Sequence, residues 1–459
     1  MAKDIEESSE KNQLIPKAEQ EVGPGLSGET QPVMGFMFLG FVGNLTFNFL
    51  LQEVAFFNRV FGSQFGSTCG FIYGLSNNLG QLLVIFLGSG IPMTIRVVVS
   101  CLVLAGTLTF FPLMSYLEWR FQMHLVYCIV AVMGVFVAVL ASAGFGLTAS
   151  CGSEKLGSFN AFGNCLAGVI AWPIMLVVDW ILVSQLGVSD ENDLLGGPSR
   201  AQSIGTIIVL GISATFLIAF VIYYLISLRH NAIVSDALEK LAAKASSKQK
   251  SDPAIYWETI RSSLFLPVAV FMIMVVTFLV LPSQMVVWTP SLKLFKDSKV
   301  YPDMVIFLFN VFDTVGRFMA MKNLIVLTPT QVFIGSFARI ILVPMFFLAS
   351  ANRWIFAHDI FRLFLQAAFA CTYGLLLNWG WTHGPNQPGI KKENSDIAGY
   401  VMSFAAPFGI LIGSLISRAI SGFPDEYLDY RPHLKPCKYE DYRMYCVEDE
   451  VLNIPQLLN

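Results

Sequence analysis

Charge is what this sequence has least of. Asp, Glu, Lys and Arg make up 13% of its 459 residues, where an ordinary soluble protein carries about 25%. A chain so poor in charge cannot clothe a water-facing surface of this length, which excludes a soluble multi-domain protein. Histidine is scarce too. The five, at 124, 230, 358, 383 and 433, never form HExxH, and no GxSxG occurs, so the constellations of a metalloprotease or a serine hydrolase are missing. There is no GxxxxGK[ST] loop to hold ATP, and nothing calls for a cofactor or a metal. The net charge of -3, with no Lys/Arg stripe interleaved with aromatics, argues against a nucleic-acid partner.

What is abundant is apolar sequence, 55% of the chain. About 20 mostly apolar residues span a hydrocarbon core of about 30 Å as a helix. Eleven such stretches are expected, at 33–57, 69–90, 97–117, 124–149, 158–186, 203–228, 262–289, 302–322, 328–349, 357–380 and 395–420. The fold class that follows is an all-α polytopic membrane protein. A charged segment at 229–261 divides the spans six and five, which predicts five regions: an arm at 1–32, a six-helix bundle at 33–228, the loop at 229–261, a five-helix bundle at 262–420 and a tail at 421–459. Two helical bundles joined by a long loop is a plan common among secondary transporters.

The first 32 residues are polar and lack the apolar core of a signal peptide, so an uncleaved cytoplasmic arm is expected. Lys and Arg collect in cytoplasmic loops. With the N-terminus inside, the inner segments hold fourteen and the short outer loops seven, and an odd number of spans then puts the C-terminus outside. There Cys437 and Cys446 could pair as a disulfide or stand as free thiols; spacing alone leaves both open. The other six cysteines lie in or beside spans and read as packing residues.

Small residues every four positions mark faces where helices meet in lipid. Span four supplies Gly134, Ala138, Ser142 and Gly146, and span eleven Ala405, Gly409, Gly413 and Ser417. Tight static packing accounts for both ladders better than a role in sliding does. Polar side chains within spans say more, because each is costly unless it faces the bundle interior, a partner or a water-filled path. Asn44, Asn48 and Gln52 share one face of span one, and Asn77, Asn78 and Gln81 cluster in span two. Amides donate and accept, which suits a neutral ligand edged with both kinds of group, and equally suits glue between helices.

Span eight carries the sharpest signal, FNVFDTVGR at 309–317. Asp313 and Arg317 are four apart and share a face, with Asn310 one turn earlier. Each charge costs about 2.5 to 3.5 kcal/mol at a helix centre even on the gentler insertion scale, so a reason for keeping both must exist. Two readings stand side by side. Either the pair meets a solute, Asp313 accepting hydrogen bonds and Arg317 offering its planar fork of donors, or it is a salt bridge that positions the span. Arg339, five residues before Pro344, is a further charge, in span nine.

FNVFDTVGR resembles the FNxxDxxGR pattern of the equilibrative nucleoside transporters, matching at every fixed position. IPMTIR (91–96), GNCLAG (163–168), RIILVP (339–344) and the stretch from Asn378 through Gly384 and Pro385 to AGYVMSF (398–404) resemble further segments of that family in the same order. The resemblance implies a two-bundle fold like the major facilitator superfamily, in a membrane such as the plasma membrane. It also implies facilitative passage of purine or pyrimidine nucleosides, and of nucleobases, of the adenosine, inosine and hypoxanthine class. Asp313, Arg317 and Asn310 would belong to the substrate region, together with Phe47, Asn48, Gln52, Gln81 and Asn378, while Arg96 would serve an inner gate. Two departures bear on selectivity: Phe47 stands where many members have tryptophan, and Ala141 where many have glutamine. The long tail fits a divergent branch such as that of protozoan parasites. Proton-coupled uptake, through Glu53 or Asp313, and a sugar or drug carrier of the same superfamily are the alternatives.

Overall fold

A long apolar segment in lipid has no water to satisfy its backbone, so it must bond to itself, and a helix does this within one segment. A computed structural model describes residues 26–53, 56–57, 65–87, 91–113, 122–188, 200–246, 253–281, 283–286, 288, 290–292, 301–387, 390, 395–421, 434–436 and 445–447. Its long helices are α1 (Leu26–Gln52), α2 (Phe65–Leu87), α3 (Met93–Leu113), α4 (Gln122–Ser150), α5 (Glu154–Trp180) and α6 (Arg200–Ile226). After α7 (Ala232–Ser246) and α8 (Pro253–Ser263) come α9 (Phe265–Val280), α10 (Tyr301–Met321), α11 (Pro329–Ala338), α12 (Val343–Ser350), α13 (Asp359–His383) and α14 (Ser395–Ser421). The described strands are β1 (Leu434–Pro436) and β2 (Tyr445–Val447), paired antiparallel.

Among the described residues, nine helical segments are long and apolar enough to cross a membrane, and ten if the α8–α9 pair, bent by 64°, counts as one. α2, 23 residues long with Ser76, Asn77, Asn78 and Gln81 in its course, is not among them, so the expected eleven is not reached. The first helix also starts earlier than the apolar run, at Leu26, with Pro32 inside it. Just before Pro344 span nine is interrupted by a 3-10 turn, Arg339–Leu342, between α11 and α12. The described residues begin at 26, so most of the expected arm lies outside them, as does the tail beyond its two strands.

Two buried hydrophobic clusters divide the molecule. One draws on α1 to α7 and the other on α9 to α14, and Phe47 packs against both. Within the first group α1 lies against α5 and α2 against α4; within the second, α10 lies against α13 and α9 against α14. The groups meet twice, where α5 touches α10 and α13, and where α14 touches α2 and α4. Large apolar side chains on the outer faces, such as Ile222, Ile341 and Phe364, stay exposed, as a lipid-facing surface requires.

Close approach depends on missing side chains. A Cβ on Gly163 would strike the Met37 carbonyl oxygen, and one on Gly40 the Asn160 carbonyl oxygen, so α1 and α5 touch backbone to backbone. The ladder in span four behaves the same way, Gly134 meeting the Tyr73 carbonyl oxygen, and in span eleven Gly409 meets that of Phe271 and Gly413 that of Val275. Replacing Gly163 with leucine should therefore destabilise the protein by about 1 to 3 kcal/mol through overpacking. The same change at Gly106, where nothing lies within 4 Å of an added Cβ, should leave the melting temperature in detergent unchanged. Equal melting of the two variants would refute this account of the interface.

Candidate functional site

Span eight keeps its two charges by pairing them. Arg317 donates from Nε to Asp313 Oδ1 at 2.8 Å and from Nη2 to Oδ2 at 3.2 Å, a two-pronged bond across one helical turn. The third nitrogen reaches the other helix group, Nη1 donating to the Ala161 carbonyl oxygen on α5 at 2.8 Å. The guanidinium lies 5.1 Å from the Trp381 ring centre and 5.8 Å from that of Tyr373. Asp313 and Arg317 are 5% and 2% exposed, yet both line a cavity of about 140 Å³ between the two groups. The pair is thus both a salt bridge and part of a cavity wall.

Glycines in and around the motif make the room. A Cβ on Gly316 would collide with the Cys371 carbonyl oxygen, so the motif glycine lets α10 lie on α13. Gly374 does the same from α13, where a Cβ would sit 2.6 Å from Asp313 Oδ1. On α5, a Cβ at Gly168 would come within 2.5 Å of Asn310 Cγ.

Asn44 donates to the Asn164 carbonyl oxygen at 3.1 Å, and Asn48 to the Asn44 carbonyl oxygen at 3.0 Å. Gln81 joins three helices: its Oε1 accepts from Ser142 on α4 and, at 3.2 Å, from Ser403 on α14. Asn78 donates to the Pro407 carbonyl oxygen at 2.9 Å, a second tie from α2 to α14. These amides are partly glue, and Asn44, Asn48, Asn77, Gln81 and Asn310 also line the cavity. Aromatic rings complete the wall, among them Phe47 stacked on Tyr73 at 4.9 Å.

The structure brings Phe47, Asn48, Gln81, Asn310, Asp313 and Arg317 to this one cavity. Asn378 sits apart from the lining, its Nδ2 donating to Ser158 Oγ on α5 at 3.2 Å. Arg96 lies near the start of α3, donating from Nε to the Ile91 carbonyl oxygen at 3.1 Å, with Nη1 buried and unpartnered. The side chains of Gln52, Cys437 and Cys446 lie outside the described residues.

Sequence reasoning passed over Thr277, Tyr373 and Trp381 on the wall. It also passed over a second buried pair, Asp359 with Arg362, each 0% exposed. Asp359 Oδ2 accepts from the backbone N–H groups of Ser291 and Leu292 at 2.8 and 2.7 Å, and Arg362 donates to the carbonyl oxygens of Phe356 and Ala349 at 3.1 and 2.7 Å. The available signal was an acid at a helix start with arginine one turn on. This network ties loops to the ends of α12 and α13, away from the cavity.

The family model described as Nucleoside transporter matches residues 204–421. Over those residues the chain is similar to the nucleoside transporter family. The chain is 28% identical over 131 residues to Nucleoside transporter 1.2 of Leishmania donovani, covering 27% of this chain and 26% of that protein. It is 29% identical over 124 residues to Equilibrative nucleoside transporter 1 of Mus musculus, covering 24% and 25%. The matched stretch thus spans about a quarter of the length of these relatives, and such similar identities favour neither a protozoan nor a mammalian branch. Among solved structures, the proton:xylose symporter XylE of the major facilitator superfamily aligns with a TM-score of 0.57 at 12% identity, covering 84% of this chain and 94% of that one. FucP in its outward conformation, another member of the superfamily, aligns at 0.50 and 16% identity, covering 85% and 96%. These likenesses show the fold alone, a multi-pass helical membrane protein of the major facilitator type.

Two variants separate site from scaffold. Gly374→Ala should push Asp313 out of register and lower any activity that depends on the cavity by about tenfold or more while the protein still folds. Asp359→Ala removes the carboxylate beside a buried arginine and should cost about 3 to 5 kcal/mol, seen as loss of folded protein on size exclusion. Full activity in the first, or a normal melting curve in the second, would contradict these roles.

Proposed function

We propose that this chain carries nucleosides, and nucleobases of the hypoxanthine class, down their gradients by alternating access. Family and fold indicate a transporter rather than an enzyme. The observation that carries the reading is the cavity between the two helix groups, walled by rings and amides, with the Asp313–Arg317 pair at its side. Aromatic walls suit a flat base, and amides with a charged fork suit ribose hydroxyls and ring carbonyls. Asp313, Arg317, Asn310, Phe47, Asn48 and Gln81 are the residues assigned to the substrate.

In this reading the six-helix region at 33–228 rocks against the five-helix region at 262–420. The N-terminus is cytoplasmic, the tail extracellular and the membrane the plasma membrane. Arg96, at the cytoplasmic end of α3, serves the inner gate, its unpartnered Nη1 waiting for an acceptor in another state of the cycle. Substrate affinity for the inward and outward forms sets their populations. Asp313 meets Arg317 through both carboxylate oxygens, a pairing that favours the charged form of the carboxyl and so supports facilitated rather than proton-coupled passage.

In cells without carriers of their own, labelled adenosine, inosine and hypoxanthine should enter and compete with one another, and glucose should not compete. Asp313→Asn and Arg317→Ala should abolish uptake out of proportion to any loss of surface labelling; normal uptake per labelled molecule in both would return the pair to a purely structural role. Uptake should be equal in mildly acid and neutral medium and survive an uncoupler. A rise in acid that the uncoupler removes would establish proton coupling instead.

Asn378→Ala removes the bond to Ser158 across the groups but no cavity contact. It should change the maximal rate several-fold with the half-saturating concentration nearly constant. A change confined to the half-saturating concentration would place Asn378 on the substrate.

A further inference from the structure

The charges around the cavity do not cancel. Among its lining residues Asp313 is the one acid and Arg317 the one base, and they neutralise each other. Arg339 stands just behind the wall, 3% exposed. Its Nη1 donates to Thr277 Oγ1 at 3.0 Å and to the Ile273 carbonyl oxygen at 3.1 Å, and its Nη2 to the Phe369 carbonyl oxygen at 3.1 Å. Nε is buried and unpartnered. Among the described residues no carboxylate lies within ion-pair distance of Arg339.

Two of its neighbours, Thr277 and Tyr373, are themselves cavity wall. The Tyr373 ring centre lies 5.6 Å from the Arg339 guanidinium and 5.8 Å from that of Arg317. One ring therefore serves two guanidinium groups, with a single carboxylate between them. Arginine keeps its proton, so the surplus positive charge is permanent.

We propose that Arg339 is a specificity-determining charge, which through Thr277 and Tyr373 makes the cavity electropositive, so that it takes neutral and anionic nucleosides and refuses cationic ones. The inference rests on the nucleoside reading above and adds to it the charge class of the cargo. At an effective dielectric constant of about 20, a unit charge roughly 8 Å from an uncompensated guanidinium feels an effect on the order of 30-fold in affinity. Contacts that only tie α9, α11 and α13 together would produce no such discrimination.

Two methylated adenosines are isomers that differ in charge: 1-methyladenosine is a cation in neutral medium and N6-methyladenosine is not. Against labelled adenosine uptake by the full chain, N6-methyladenosine should compete at least about tenfold better than its cationic isomer. Xanthosine, an anion in neutral medium, should compete as well as inosine. Arg339→Gln, which keeps donors and drops the charge, should shrink the gap between isomers to about threefold or less, and Arg339→Lys should preserve it. Equal competition by the two isomers in the unaltered chain overturns the proposal, whether or not either variant reaches the membrane. So does a gap that persists unchanged in Arg339→Gln. Absence of uptake of adenosine, inosine and hypoxanthine alike sinks the nucleoside reading and this inference with it, whereas nucleoside uptake blind to charge sinks this inference alone.

Discussion

The organisation of the candidate site depends on one two-pronged bond, Arg317 to Asp313, formed where water is scarce. Neither partner could be buried alone without a cost of several kcal/mol. Together they make a neutral unit that still presents directional donors and acceptors. Because the spare nitrogen of Arg317 bonds to Ala161 on the opposite helix group, the same guanidinium belongs to the cavity wall and to the boundary between groups. Anything that repositions it alters both, a physical basis for linking occupancy to conformation.

Three of the four arginines buried among the described residues solve the same solvation problem in different ways. Arg317 is matched by a carboxylate, one carbonyl oxygen and two aromatic faces, Arg362 by a carboxylate, two carbonyl oxygens and the Asn352 amide oxygen, and Arg339 by carbonyl oxygens, one hydroxyl and aromatic faces without a carboxylate. Arg362 belongs to scaffold, remote from the cavity. The other two flank Tyr373, so cavity electrostatics are set jointly by a residue on the wall and one behind it.

The sequence made Asp313 and Arg317 conspicuous because a charge within an apolar run is an anomaly that demands a reason. Asn48, Gln81 and Asn310 stood out for the same cause, and all five line one cavity. Tyr373, Trp381 and Phe145 did not stand out: in a chain that is 13% aromatic, rings recur along the spans, and only three dimensions show which of them turn inward. Asn378 shows the converse. It is as anomalous in its helix as Asn310, yet its amide bonds to Ser158, since polarity marks a buried interaction without naming the partner. The helical class and the two-group layout were legible from apolar run lengths and one charged loop. The number of spans was not, because α2 mixes amides with apolar residues and the α8–α9 segment bends.

Glycine contacts differ in kind on the two sides of the boundary. Inside each helix group, the closest of them set one main chain directly on another, as at Gly163 with Met37 or Gly413 with Val275. Across the boundary, Gly146 comes nearest to the ring of Tyr400 and Gly168 to the amide of Asn310, while Gly74 and Gly399 make ordinary contacts at 3.7 and 3.5 Å. Welded seams within and hinged, upholstered joints between would let each group travel as a block, with side chains taking up the play.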